Sequence, residues 1–213
     1  MASIEVFSDV ACPWCFIGKR RLEAALAGLP TPKRPPIRWR AFQLQPDAPT
    51  RALDAAASRT FFESKFGGAA RVRAIFDHVS AIGREVGIQF QLDRQHIVNT
   101  RLAHRLVAIA GAWARDNPAV DALFRAHFEE GRDIGDVDVA IAVVAEATGL
   151  ASNVLHDALR NGDGDDEVTA DLQRARQLGI EGVPLFIRDG SVAVSGAQPV
   201  DVFRKFLEDG AAA

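Results

Sequence analysis

Apolar positions change their spacing along this chain, and each change marks an element. Ile4 to Ser8 is a short apolar run that reads as a buried strand, and Ser8-Asp9-Val10-Ala11 reads as a loop. From about Pro13 to Ala27 the spacing is helical. Phe16, Ile17, Leu22 and Leu26 fall inward, and Lys19, Arg20 and Glu23 fall mostly outward. Gly28 and Pro30 stop the helix. A proline-rich connector from Thr31 to Pro36 leads to Ile37–Phe42, which alternates as a half-buried strand does. The opening therefore reads β-α-β, with a parallel crossover as its natural pairing.

After Pro46 the pattern turns helical. Ser58 to Phe66 reads as a helix closed by Gly67-Gly68. Val72, Ile75, Phe76, Val79, Ile82 and Val86 keep helical spacing up to Gly87. Ile88 to His96 is a connector. Asn99 is placed to cap a helix reaching Ala114, and Asp116-Asn117-Pro118 breaks it. Further helices fit Ala119 to Glu130, Asp136 to Thr148 and Ser152 to Arg160. Past the polar loop Asn161 to Asp165, Val168, Leu172, Ala175 and Leu178 make an amphipathic helix ending at Gly179. Leu185-Phe186-Ile187 and Val192-Ala193-Val194 then flank an Asp189-Gly190 turn, the signal of a β-hairpin. Pro199 opens a last helix carrying Val202, Phe203, Phe206 and Leu207, and Glu208 to Ala213 reads as a fraying tail. These elements divide the chain into an α/β unit in two parts, 1–57 and 163–213, around a helical insertion, 58–162.

The chain has 213 residues and is 48% hydrophobic, enough for a substantial core. Lys and Arg number 25 against 28 Asp and Glu, a net charge of −3 that argues against a nucleic-acid or anionic-membrane partner. No apolar run approaches the ~20 residues of a membrane span. No cationic-then-apolar leader opens the sequence, so the expectation is cytoplasmic, where structural disulfides are rare.

The compartment matters because of Cys12-Pro13-Trp14-Cys15, which holds the chain's only two cysteines. The motif falls at a strand-to-helix junction, the setting of a redox Cys-x-x-Cys. Unpaired amides and the macrodipole at a helix start favour negative charge and acidify a thiol placed there. Cys12 is therefore expected to be the exposed, attacking thiol, with Cys15 one turn on as the shielded one that resolves a mixed disulfide. Pro13 suits the first helical position, where a missing N–H costs nothing. A zinc site would want about four ligands, and His78, His96, His104, His127 and His156 are scattered without the close pairing such sites use. No metal and no bound cofactor is expected.

Taken in order, these features resemble the DsbA-like branch of the thioredoxin superfamily, and within it the FrnE-type group. The likeness is carried by the stretch from Asp9 to Lys19, by Asn99 to Arg105, by Gly131-Arg132-Asp133-Ile134-Gly135, by Gly182-Val183-Pro184 and by Ser195-Gly196-Ala197-Gln198. The resemblance implies a thioredoxin fold split by a helical domain, and a thiol–disulfide oxidoreductase acting on protein or small-molecule thiols and disulfides. Glutathione or another small thiol would serve as co-substrate. It also implies a cis Val183–Pro184 bond facing Cys12, with Pro13, Trp14, Val183 and Pro184 meeting substrate; a homodimer is one assembly it admits. Asn99 and His104 could line the same cleft, although capping and ordinary packing account for them as well. Two departures count. Trp14 stands where the periplasmic oxidants commonly carry His, so their very acidic thiol is not carried over. The related kappa-class glutathione transferases and hydroxychromene-carboxylate isomerases generally have Ser in place of Cys12, and they supply the rival reading: a glutathione-dependent transferase or isomerase.

Overall fold

The computed structural model describes residues 3–208, so most of the tail lies outside the described residues. The chain is mixed α/β. Strands β1 (Ile4–Ser8), β2 (Ile37–Ala41), β3 (Leu185–Arg188) and β4 (Val192–Ser195) form one sheet in the order β2-β1-β3-β4. β1 and β2 run parallel with Ile4 opposite Ile37 and Val6 opposite Trp39. β1 pairs antiparallel with β3, and β3 with β4 through the turn at Asp189-Gly190. Helix α1 (Pro13–Ala27) is the crossover between β1 and β2. Between β2 and β3 come α2 (Ala55–Phe66), α3 (Ala69–Glu85), α4 (Arg101–Gly111), α5 (Asp116–Phe128), α6 (Val137–Thr148), α7 (Ser152–Arg160) and α8 (Asp165–Gln177), and α9 (Val200–Glu208) closes the order.

The period-two register sorts side chains to the two faces of the sheet. Ile4, Val6, Trp39 and Phe186 join the main core, where α1 and α9 also contribute Phe16, Ile17, Leu22, Phe203 and Phe206. Phe7 and Ile187 point the other way, against Ala175 of α8. Phe16 ties the sheet side to the helical insertion. Its ring stacks on Phe124 of α5 at 5.0 Å and lies 6.4 Å from Phe128. A fully buried phenyl contributes about 1.5–3 kcal/mol, so this aromatic group holds α1 against α5 rather than merely filling space.

Several boundaries differ from the sequence pattern, each for a local reason. α2 starts at Ala55, because the Asp54 carboxylate accepts the Ala57 amide and caps the helix. α4 starts at Arg101 and ends at Gly111 instead of reaching Ala114, whose φ of +55° is left-handed. Asp116-Asn117-Pro118 does not break a helix; it forms the first turn of α5, where a proline gives up no intrahelical bond. Lys19 is the clearest reversal. It is 2% exposed, not outward. Its Nζ reaches Asp121 of α5 at 2.8 Å and also pairs with Glu23, while Arg20 meets Asp121 at 2.6 Å. The periodic reading put Lys19 in water because nothing local announces that a second helix lies over that face.

Candidate active site

The end of β1 aims the motif. Ser8 closes the strand, Asp9 turns the chain, and the Cys12 amide donates to the Asp9 carbonyl at 3.0 Å. Cys12 is the extended N-cap of α1 and Pro13 its first residue, and the amides of Cys15 and Phe16 donate to the Cys12 carbonyl at 3.0 and 3.3 Å. The segment before β3 approaches from the other side. The Val183–Pro184 bond is cis, and the Cys12 thiol donates to the Val183 carbonyl at 3.6 Å. Gly18, one turn after the motif, permits this approach. A Cβ there would stand 3.1 Å from both Phe186 and Pro184, closer than most side chains tolerate.

Both thiols are free. Cys12 is 3% exposed and Cys15 1%, so the expectation of an exposed attacking thiol is corrected. The Val183 carbonyl lies against the Cys12 sulfur in this buried position. Burial pushes the Cys15 thiol well up from its ordinary value. The hydrogen bond with Cys12 pushes it further, while the Ser8 hydroxyl and the Asp9 backbone oppose the rise.

A polar group lies beneath the motif. Asp9 is 1% exposed. Its carboxylate accepts the Leu44 amide at 2.7 Å and the Ala11 amide at 3.2 Å, and lies 3.5 Å from His104 Nε2. Burial works against its charge, but His104 and the two amides outweigh burial and hold the carboxyl below the usual range. His127 of α5 is 1% exposed with Nδ1 unpartnered. Burial lowers it to about 4; Asp9 opposes the shift and His96 adds to it.

The residues singled out in the sequence divide into two groups. Cys12, Pro13, Val183 and Pro184 converge. Trp14 is half-buried beside them, 6.3 Å from the His78 ring of α3. His104 is buried one step back, where its Nε2 donates to the Phe42 carbonyl at 2.9 Å and lies 3.5 Å from the Asp9 carboxylate. Asn99 is occupied elsewhere. It accepts from Gln43 and from the Arg101 amide and donates to the Pro46 carbonyl, tying the segment after β2 to the start of α4. Sequence reasoning gave no role to Ser8, Asp9 or His127. The one available signal was the position of Ser8 and Asp9 at the strand end that presents the motif.

Comparison with known proteins agrees with this architecture. Residues 3–208 match the family model described as DSBA-like thioredoxin domain. A probable DsbA oxidoreductase from Streptomyces coelicolor is 31% identical, with all of this chain and 92% of that one covered and a TM-score of 0.88. An uncharacterized protein of Bacillus subtilis, YwbO, is 28% identical over 97% of this chain and 96% of its own length. At the level of fold alone, the cytosolic disulfide reductase DsbM of Pseudomonas aeruginosa, 20% identical with 98% of each chain covered, superposes with a TM-score of 0.67. With the family model spanning all the described residues and a relative of 31% identity covered almost end to end, the chain belongs to the DsbA-like thioredoxin-domain family.

Proposed function

We propose that the protein is a cytoplasmic thiol–disulfide oxidoreductase that works through Cys12 and Cys15 on protein or small-molecule disulfides and dithiols. The observation that carries this reading is the juxtaposition at the start of α1. Cys12 Sγ meets the Val183 carbonyl at 3.6 Å, and the Cys15 thiol lies in hydrogen-bonding reach of Cys12. A helix start favours the anionic form that attacks. The Cys12 thiolate bonds to one sulfur of a substrate disulfide, and the other sulfur leaves as a thiolate that takes a proton from solvent. Cys15 then loses its proton and attacks Cys12 Sγ. The Cys12–Cys15 bond forms, the second substrate thiolate departs, and the substrate has gained the two electrons the protein has lost. Two equivalents of a small thiol such as glutathione return the pair to the dithiol, and no bound cofactor takes part. In the opposite direction the oxidised pair accepts electrons from a substrate dithiol. Val183, whose carbonyl already faces the sulfur, lies where an extended substrate can pair with backbone, as in strand addition. DsbM, a disulfide reductase also solved with glutathione, is in keeping with glutathione as co-substrate here.

A glutathione transferase or isomerase would need only a donor at residue 12 and could dispense with Cys15; the second thiol in reach of the first favours exchange. The test runs both reactions on the parent, Cys12→Ser and Cys15→Ser. Reduction of a model protein disulfide should vanish in Cys12→Ser, and Cys15→Ser should accumulate mixed disulfides on Cys12. Glutathione conjugation that survives loss of both thiols, with no disulfide exchange in the parent, would replace this reading with the other.

A further inference from the structure

A carboxylate is enclosed just before Cys12, and packing does not explain it. Asp9 is 1% exposed, and among the described residues only His104, 3.5 Å away, stands where a counter-charge would. An ionised carboxylate without a firm ion pair is costly to bury. Its hydrogen bonds show what it holds in place. Oδ1 accepts the Ala11 amide at 3.2 Å, and the Asp9 carbonyl accepts the Cys12 amide at 3.0 Å. Side chain and backbone of one residue thus close the turn that delivers Cys12 to α1. Oδ2 accepts the amide of Leu44, 35 residues on and just past β2, at 2.7 Å. His104 Nε2 donates to the Phe42 carbonyl of that same segment at 2.9 Å. The turn is therefore anchored to the end of β2.

We propose that Asp9 is a positioning residue of the exchange reaction: its two carboxylate oxygens tie the Cys12 turn to the end of β2, fix Cys12 relative to Cys15, and so favour the Cys12–Cys15 disulfide over the dithiol. The proposal rests on the exchange reading above. Cys15 is already set by α1, where its amide donates to the Cys12 carbonyl at 3.0 Å. The turn on the other side of Cys12 is the part that Asp9 holds. In the disulfide the S–S bond itself restrains this turn. In the dithiol the hydrogen bonds restrain it, so their loss adds freedom mainly to the reduced form. Ends that are placed beforehand close a ring more readily than free ones. A carboxylate is needed because each oxygen serves a different segment. Asn would keep one acceptor and turn an N–H toward the other amide, and Ala would keep neither. Burial opposes the charge, but His104 and the two amides hold the carboxyl below its usual range, so both oxygens stay acceptors at neutral pH.

The test equilibrates each protein with reduced and oxidised glutathione at pH 7, quenches with acid, and reads the oxidised fraction by alkylation and mass spectrometry. One dithiol and one glutathione disulfide give the Cys12–Cys15 disulfide and two glutathione thiols, so two electrons and two protons pass to glutathione. Asp9→Ala is expected to lower this equilibrium constant about ten-fold, a rise of about 30 mV in reduction potential. Asp9→Asn should lower it nearly as far. Asp54→Ala, which removes the cap of α2, should leave the constant at the parent's value and so separates placement of the thiol from general loss of stability. If Asp9→Ala does not fold, Asp9→Asn and Asp9→Ser carry the same comparison. The parent supplies a measurement that needs no variant: in its dithiol form the Ala11 and Leu44 amides should exchange slowly with deuterium. An unchanged constant in folded Asp9 variants would overturn the proposal. So would an equal fall in Asp54→Ala, or fast exchange at both amides. A parent that forms no Cys12–Cys15 disulfide in any glutathione buffer would sink the exchange reading, and this proposal with it.

Discussion

His127 makes the folded protein sensitive to mild acid, and the size of the effect follows from its surroundings. The imidazole is 1% exposed, with its ring edge-on to Phe128 at 4.6 Å, and burial depresses it from 6.5 to about 4 although Asp9 pulls the other way. The unfolded chain therefore binds a proton that the folded chain refuses. Stability from this group is fully present above pH ~6.5 and is lost as pH falls through the interval down to ~4. The gap of about 2.5 units corresponds to about 3 kcal/mol in full, and about 2 kcal/mol of it is gone by pH 5. Against a total stability on the order of 5–15 kcal/mol this is a large loss. With a urea slope of about 2–3 kcal/mol/M it moves the midpoint by roughly 1 M. The assay is urea unfolding of the parent and of His127→Gln at pH 7.5 and pH 5. Whatever the variant's starting stability, the pH-dependent part of its midpoint should shrink by roughly 1 M relative to the parent, and that difference of differences removes the groups that do not interact with residue 127. Asp9 does not imitate the effect, because its carboxyl is held below the usual range and its own contribution is lost only at more acid pH. Equal pH sensitivity in the two proteins would refute the assignment of a neutral, desolvated imidazole at residue 127.

Three further outcomes follow from the same contacts. Gly18→Val should lower the rate of disulfide exchange at least several-fold while leaving helix content by circular dichroism near the parent's, since the new side chain pushes α1 away from Pro184 and Phe186; parental kinetics would show the close approach to be unimportant. Asp121→Ala should destabilise by about 2 kcal/mol or more, because it strips a partner from the buried Lys19 ammonium, whereas Lys19→Met should be close to neutral in chemical denaturation; the reverse order would contradict the ion-pair account. Removing the Asp54 cap in Asp54→Ala should cost about 1 kcal/mol, read as a lowered unfolding midpoint.

Much of the fold was legible because periodicity records burial. The strands around the motif, the crossover α1, the hairpin at Asp189-Gly190 and the amphipathic face of α3 all announce themselves by which positions are apolar. Helix ends were less legible, since a start depends on one side chain reaching one amide. Asp54 and Asp136 make that bond to Ala57 and Val139, while Asn99 spends part of its capacity on Gln43 and Pro46 instead. The thiols were readable from their spacing at a strand-to-helix junction, whereas the cis Val183–Pro184 bond was readable only through family likeness.

What the sequence hid is the set of polar side chains that the core encloses. Lys19, Asp9, Ser8, His104 and His127 are each 6% exposed or less, and each sits among residues whose own pattern is ordinary. Hydropathy assigns such side chains to water. Lys19 and His104 are inside because a partner from a distant segment meets each, Asp121 and Phe42 respectively. Those partners are 102 and 62 residues away in the chain, beyond any local window. Ser8 Oγ and His127 Nδ1 are enclosed without such a partner among the described residues. A buried charge with a partner is a structural fact about the fold. A buried polar group without one carries a desolvation cost that no contact in the described structure offsets.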